Sequence, residues 1–188
     1  MTENINFLQT GTPAMNERFQ KTAELRGKII NYFSDLEFTI EMIIANFFCE
    51  NSDRWIEFVH GVVCNTLAMS FDAKREVLTY IIKQKYLDLL PKEMNGEKFF
   101  DELKYLMKIR NMAAHLKILT TKENKDWFDG KTVVLQNFEF KSYKTGIKTL
   151  TMTDEFVDDY RIRSAKMMIW LQAISKKISE ENAKSSTS

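Results

Sequence analysis

The stretch KIRNMAAHL, residues 108–116, decides how we interpret the fold of this chain. Apolar residues recur every three to four positions up to and through it, which predicts one helix over about residues 97–119. Arg110 continues the apolar side of this helix, where a solvated arginine is not expected. Because successive residues of an α-helix are rotated by about 100°, His115 is expected one turn beyond Asn111 and about 40° round the helix. The stretch therefore predicts that three polar residues, Arg110, Asn111 and His115, lie close together on one helix.

The composition of the chain favours long helices. Only 6 glycines and 2 prolines occur in 188 residues, so tight turns are few, and the 44% of apolar residues is enough for a core. We predict an all-α bundle of about five helices with a small β-hairpin inserted before the last one. The predicted helices cover about residues 13–49, 55–67, 73–85 and 97–119, followed by a last helix that Thr153 caps.

The predicted domain boundaries follow from the polar ends of the chain. Residues 12–180 are expected to form a single domain, and residues 1–11 and 181–188 are expected to be flexible termini. The hairpin insertion is expected at about residues 131–152, where two short runs rich in β-branched residues, 132–135 and 147–151, read as strands.

The segment from Lys104 to Lys148 is basic, although the whole chain has a net charge of only +1. It contains nine lysines and one arginine against four acidic residues. At the hairpin end, Lys141, Lys144 and Lys148 accompany aromatic residues, a combination that contacts RNA through charge and stacking. An ordinary solvated hairpin explains the same residues, and this alternative stays open.

Several classes of protein are not expected. The two cysteines, Cys49 and Cys64, lack metal-type spacing and are predicted to be buried free thiols, as in a reducing cytoplasm. The first eight residues lack the apolar core of a signal peptide, and no apolar run is long enough to span a bilayer. We expect a soluble cytoplasmic protein without a metal, a cofactor or a membrane partner.

Two other groups of residues are alternative candidates for a functional site. Arg54 and His60 are separated by five residues, but no asparagine follows the arginine and bulky apolar residues surround the pair, so we interpret it as a decoy. Glu37 and Glu41 lie one turn apart on the first helix. They are either carboxylates that join a site or an ion-paired flank, and the second alternative is favoured because buried acids are rare unless paired.

The order Arg110-Asn111-Met112-Ala113-Ala114-His115 resembles the signature of HEPN (higher eukaryotes and prokaryotes nucleotide-binding) domains. That signature is an arginine, commonly followed by a polar residue, and then a histidine after four to six intervening residues. The long first helix, the Phe71-Asp72-Ala73-Lys74 helix start and the hairpin before the last helix are also similar to HEPN proteins of the abortive-infection type.

The resemblance implies a function. Competent HEPN proteins are metal-independent endoribonucleases that act as homodimers with a composite site, often in toxin–antitoxin or phage-defence systems. Arg110, Asn111 and His115 would be the catalytic residues, and an antitoxin or regulatory protein would be a further partner.

The residue types suit this chemistry independently of the resemblance. An imidazole can exchange a proton near neutral pH, and a guanidinium can bind phosphate. Two alternatives remain: a non-catalytic module that binds a nucleotide or protein, and a purely structural role in which Arg110 pairs with Glu37 or Glu41.

Overall fold

The computed structural model describes residues 12–49, 52–64, 69–92, 94, 96–118, 128–136 and 149–185. Within these ranges the chain is mainly helical with a small antiparallel sheet, which confirms the expected class at this level. The helices are α1 Pro13–Cys49, α2 Asp53–Phe58, α3 Phe71–Ile81, α4 Gly96–His115 and α5 Asp154–Ser185. The strands are β1 Lys117–Ile118, β2 Val133–Gln136 and β3 Thr149–Met152. No helix of the described ranges is both long enough and apolar enough to cross a membrane.

The boundaries of two helices correct the expectations. Helix α4 ends at His115 rather than near residue 119, because the chain turns at once into β1, which pairs with β2. Helix α5 continues to Ser185, so residues 181–185 are helical and not part of a flexible terminus. The last turns of α5 are held by side chains: Tyr86 donates a hydrogen bond of 2.9 Å to Glu181, and Asn182 donates one of 2.9 Å to the carbonyl of Asn46.

The second and third helices are shorter than expected, because each continues in a wider or tighter helical turn. Helix α2 passes into a π-helical turn at Val59–Val63. Helix α3 passes into a π-helical turn at Ile82–Tyr86 and then a 3-10 turn at Leu87–Leu89.

The sheet contains the two predicted strands and one that was not predicted. Its order is β1-β2-β3, and both pairings are antiparallel. Val133 is opposite Met152, and Leu135 is opposite Leu150; all four side chains are buried, so one face of the β2–β3 pair belongs to the core. The segment between β2 and β3, with Lys141, Lys144 and Lys148, lies outside the described residues.

The chain groups into two compact units. The first consists of Met1–Ile30 and Ile109–Tyr160, and its described part holds the three strands. In it, Lys21 of α1 forms an ion pair of 2.9 Å with Asp154 of α5. The second consists of Asn31–Lys108 and Arg161–Ser188, and it holds α2 and α3. In it, the rings of Phe33 and Phe71 join α1 to α3 at 4.7 Å between centroids.

The start of α5 gives a testable contribution to stability. The hydroxyl of Thr153 accepts a hydrogen bond of 3.2 Å from the backbone N–H of Phe156, as the sequence predicted. We expect Thr153→Ala to lower the free energy of unfolding by about 1 kcal/mol, because one donor of the first turn loses its acceptor. Thr153→Ser keeps the acceptor and serves as the control in urea unfolding. An equal loss for both variants would assign the effect to the threonine methyl group instead.

Candidate functional site

His115 is the last residue of α4 and is exposed to solvent. Its backbone is held on both sides. The N–H of Leu116 donates a helical hydrogen bond of 3.0 Å to the carbonyl of Met112, and Lys117 begins β1, where it is opposite Gln136. The imidazole is therefore accessible, while the backbone that carries it belongs to regular structure on either side.

Arg110 and Asn111 form a direct contact one turn before His115. The Nη1 of Arg110 donates a hydrogen bond of 3.0 Å to Oδ1 of Asn111, and both side chains are half-buried. On the helix, Arg110 alone is about 140° from His115, whereas Asn111 is only about 40° from it. The hydrogen bond therefore directs the guanidinium towards the side of α4 that carries Asn111 and His115. Asn111 and His115 thus share one side of α4, and Arg110 is joined to that side through its hydrogen bond with Asn111.

The two alanines before His115 differ in burial. Ala113 is fully buried and belongs to the core side of α4. Ala114 is half-buried. The buried stripe of α4 runs through Leu103, Leu106 and Ile109 to Ala113, and Arg110 lies at its edge. This edge position explains why Arg110 as a whole is half-buried.

Arg26 is a second cation at the end of α4, and no pattern in the sequence predicted its place there. Its Nη2 donates a hydrogen bond to the backbone carbonyl of Leu116, the residue after His115. Burial lowers the pKa of Arg26 from its usual value, but a guanidinium remains protonated at neutral pH. Arg26 thus satisfies a carbonyl at the negative end of the helix and adds positive charge next to the motif.

Glu37 and Glu41 belong to a separate cluster in the second unit. Both bind the ammonium group of Lys74: Nζ lies 2.7 Å from Oε1 of Glu37 and 2.5 Å from Oε1 of Glu41. The ion-paired alternative is confirmed, and the partner is Lys74 of α3, a residue of the Phe71–Lys74 helix start.

His60, the histidine of the alternative Arg54–His60 pair, lies beside the same cluster. Nε2 of His60 is 3.1 Å from Oε2 of Glu41, although the two groups are not aligned for a hydrogen bond. The side chain of Arg54 is outside what the structure describes. His60 is thus next to a carboxylate that is already paired.

A groove of about 450 Å³ lies along the first half of α4 and is lined by none of the predicted site residues. Its wall contains the guanidinium of Arg163, which lies 4.5 Å from the ring centroid of Tyr105 and 3.4 Å from Glu102. Acidic and basic side chains both line this open groove. No three His, Cys, Asp or Glu side chains in the described ranges converge to hold a metal ion. Cys64 is buried and Cys49 half-buried, and both are free thiols.

Comparisons of the chain with models of protein families, with curated proteins and with solved structures gave no match.

Proposed function

We propose that the chain is a HEPN-type endoribonuclease that cuts RNA without a metal ion. The observation that carries this proposal is the contact between Arg110 and Asn111 one turn before an exposed His115, at the end of a helix that continues directly into a strand. These residues combine an anion-binding fork, an amide and an acid–base group within the last two turns of α4. The all-α HEPN bundle with a hairpin insertion is part of the same proposal.

The proposed reaction uses a nucleophile that RNA supplies itself. A neutral imidazole of His115 accepts the proton of a ribose 2′-OH, and the resulting oxyanion attacks the adjacent phosphorus. The bond from phosphorus to the 5′-oxygen breaks, and an imidazolium donates the proton that this oxygen takes up. The products are a 2′,3′-cyclic phosphate and a 5′-OH. Arg110 binds the non-bridging oxygens, whose negative charge grows in the transition state. Asn111 orients the guanidinium through the hydrogen bond already formed.

A single motif supplies one histidine, whereas the reaction needs a base and an acid in the same turnover. We therefore propose a homodimer in which His115 of one protomer accepts the proton and His115 of its partner donates one. The segment with Lys141, Lys144 and Lys148 is the proposed RNA contact, and the exposed Lys117 adds a cation beside His115. The HEPN resemblance extends the proposal to a cytoplasmic role in phage defence or a toxin–antitoxin system, with an antitoxin or regulatory protein as a further partner.

The reaction is tested by incubating an RNA of mixed sequence with the full chain in EDTA and analysing the ends of the products. We expect cleavage with 2′,3′-cyclic phosphate and 5′-OH ends. Once a cut position is mapped, a substrate with a single 2′-deoxynucleotide at that position should remain intact, because its nucleophile is missing. A substrate with the 2′-deoxynucleotide three positions away is the control. Cleavage of the deoxy-substituted position, or cleavage only after Mg²⁺ is added, contradicts the mechanism.

A non-catalytic binding module is the second candidate, and one observation favours it. Several large apolar side chains of the described residues are exposed, among them Phe38, Trp55 and Phe58. Such side chains bind other proteins more often than substrates. An RNA pool that the wild-type chain leaves intact would favour this candidate over the nuclease.

A further inference from the structure

Arg26 of α1 is a half-buried cation whose contacts within the described ranges leave its charge unpaired. Its Nη2 donates to the carbonyl of Leu116, which is a neutral group, and its Nε is buried without a hydrogen-bond partner. Burial lowers the pKa of Arg26, and no carboxylate of the described residues opposes that shift. A partly buried charge is normally paired, so this guanidinium is suited to bind an anion.

Other cations of similar burial have carboxylate partners. Nζ of Lys21, on the same helix, lies 2.9 Å from Oδ1 of Asp154. Nη2 of Arg75 lies 2.7 Å from Oε1 of Glu76. The Leu116 carbonyl takes one N–H donor of Arg26, whereas a guanidinium has five. A role as a helix cap therefore uses a small part of what Arg26 offers.

The surface of α1 around Arg26 has no carboxylate that would repel an anion. Residues three and four positions away share its side of the helix, and none of them is charged. These residues are Thr22, Ala23, Ile29 and Ile30. Glu24 is two positions away, so it lies on another side of α1, where it pairs with Lys28. An anion that approaches Arg26 thus meets no opposing charge from the neighbouring positions of this side.

The hydrogen bond to Leu116 fixes the distance of Arg26 from the candidate site. Leu116 directly follows His115, so Nη2 of Arg26 lies within about 10 Å of the Cα atom of His115, because one hydrogen bond and one Cα step separate them. A single nucleotide of an RNA strand spans a distance of this order. The next residue, Lys117, is exposed and adds a second positive charge.

We propose that Arg26 binds the phosphate of the RNA strand that neighbours the phosphate to be cut. The strand is then held by α1 as well as by α4, and binding at Arg26 sets the position of the adjacent phosphate relative to His115. Arg26 touches the substrate but takes no part in proton transfer. This inference deepens the proposed function, on which it rests for the identity of the substrate.

The test measures the affinity of the full chain for a fluorescent 2′-O-methyl RNA of mixed sequence, which has no 2′-OH and is not cut. We expect Arg26→Gln to raise the dissociation constant at least about 10-fold, since hydrogen bonds to charged groups are strong. The slope of log affinity against log salt should fall by about 0.7, the value for one phosphate contact of a single strand. Arg26→Lys keeps the charge and should keep the slope.

The matched control is Arg75→Gln, the same substitution at an ion-paired arginine of α3. It should change neither the affinity nor the salt slope. A second measurement uses the wild type itself, so it does not depend on the folding of Arg26→Gln. Addition of the RNA should shift the nuclear magnetic resonance signal of the Arg26 Nε–H group, which is assigned by its absence from Arg26→Lys.

Four results contradict the inference. The wild type does not bind the RNA, Arg26→Gln has the salt slope of the wild type, Arg75→Gln lowers the slope as much as Arg26→Gln does, or the Nε–H signal stays in place. An unchanged slope would leave Arg26 as a cap of α4 alone. If inorganic phosphate raises the unfolding temperature of the wild type but not of Arg26→Gln, and the RNA is not bound, Arg26 binds free phosphate instead.

Failure of this inference is distinguishable from failure of the proposed function. RNA binding that depends on Arg26, by a chain that never cuts RNA, would sustain the phosphate contact and contradict only the proposed reaction. Cleavage of RNA by a chain whose Arg26→Gln variant keeps the salt slope of the wild type would do the reverse.

Discussion

Replacing His115 with alanine is expected to lower the rate of RNA cleavage in EDTA by about 10²–10⁴-fold, the usual contribution of a positioned acid–base group. The exposed position of this side chain at the end of α4 means that its removal creates no cavity, so the unfolding temperature should change little. A loss of activity without a loss of stability therefore separates a catalytic from a structural role. Full activity of His115→Ala would refute the proposed chemistry.

Arg110 tests the phosphate-binding part of the same site. Arg110→Lys keeps the positive charge but removes the planar fork, so we expect a large part of the activity to be lost while RNA is still bound. Arg75→Lys is the matched control, because Arg75 contacts only exposed acidic side chains of its own helix, Asp72 and Glu76, among the ion pairs the structure gives for it. If the two variants cleave RNA equally well, Arg110 does not bind the reacting phosphate.

The sequence predicted the position of the motif better than its surroundings. Helical spacing was sufficient to put Asn111 and His115 on one side of α4, because that relation depends only on local geometry. The end of α4 at His115 was not predictable in this way. It depends on the pairing of Lys117 and Ile118 with β2, whose residues are distant in the sequence. The contact of Arg26 with Leu116 was not predictable for the same reason, because the two residues are 90 positions apart in the sequence.

The length of the first helix was predicted correctly, but burial at its N-terminal end does not follow hydrophobicity. Phe19 is 45% exposed, whereas Thr22 is buried. A threonine can be buried in a helix because its hydroxyl donates a hydrogen bond to a carbonyl one turn earlier, here that of Arg18 at 2.6 Å. A pattern based on hydrophobicity alone therefore does not predict that a threonine is buried.

Lys74 is the position at which a single substitution is expected to destabilise the chain most. Its side chain is 0% exposed, and its ammonium group lies between two carboxylates of α1. Burial alone would lower the pKa of Lys74, but the hydrogen bonds and charges of Glu37 and Glu41 outweigh it and raise the pKa above the usual 10.5. Because the pKa is raised in the folded state, the stabilisation is fully present below pH 10.5 and is lost only as the pH rises through the folded-state value.

We therefore expect Lys74→Met to lower the free energy of unfolding at neutral pH by about 3–5 kcal/mol, since it leaves two neighbouring carboxylates without their cation. This is a large part of the total stability of an ordinary domain. Combining Lys74→Met with Glu37→Gln and Glu41→Gln should recover much of the loss, because the unpaired charges are then removed together. The free energies of unfolding of the wild type, Lys74→Met and the triple variant are measured by urea unfolding at neutral pH.

An exposed ion pair provides the matched control. Lys176 is 80% exposed and lies 4.0 Å from Glu180 one turn further along α5, so Lys176→Met should change the stability by less than about 1 kcal/mol. The contrast between the two lysines isolates burial as the cause, because the substitution is the same. If Lys74→Met costs no more than Lys176→Met, the buried ammonium does not hold α1 and α3 together. If the triple variant is no more stable than Lys74→Met, the loss comes from packing of the lysine stem rather than from unpaired carboxylates.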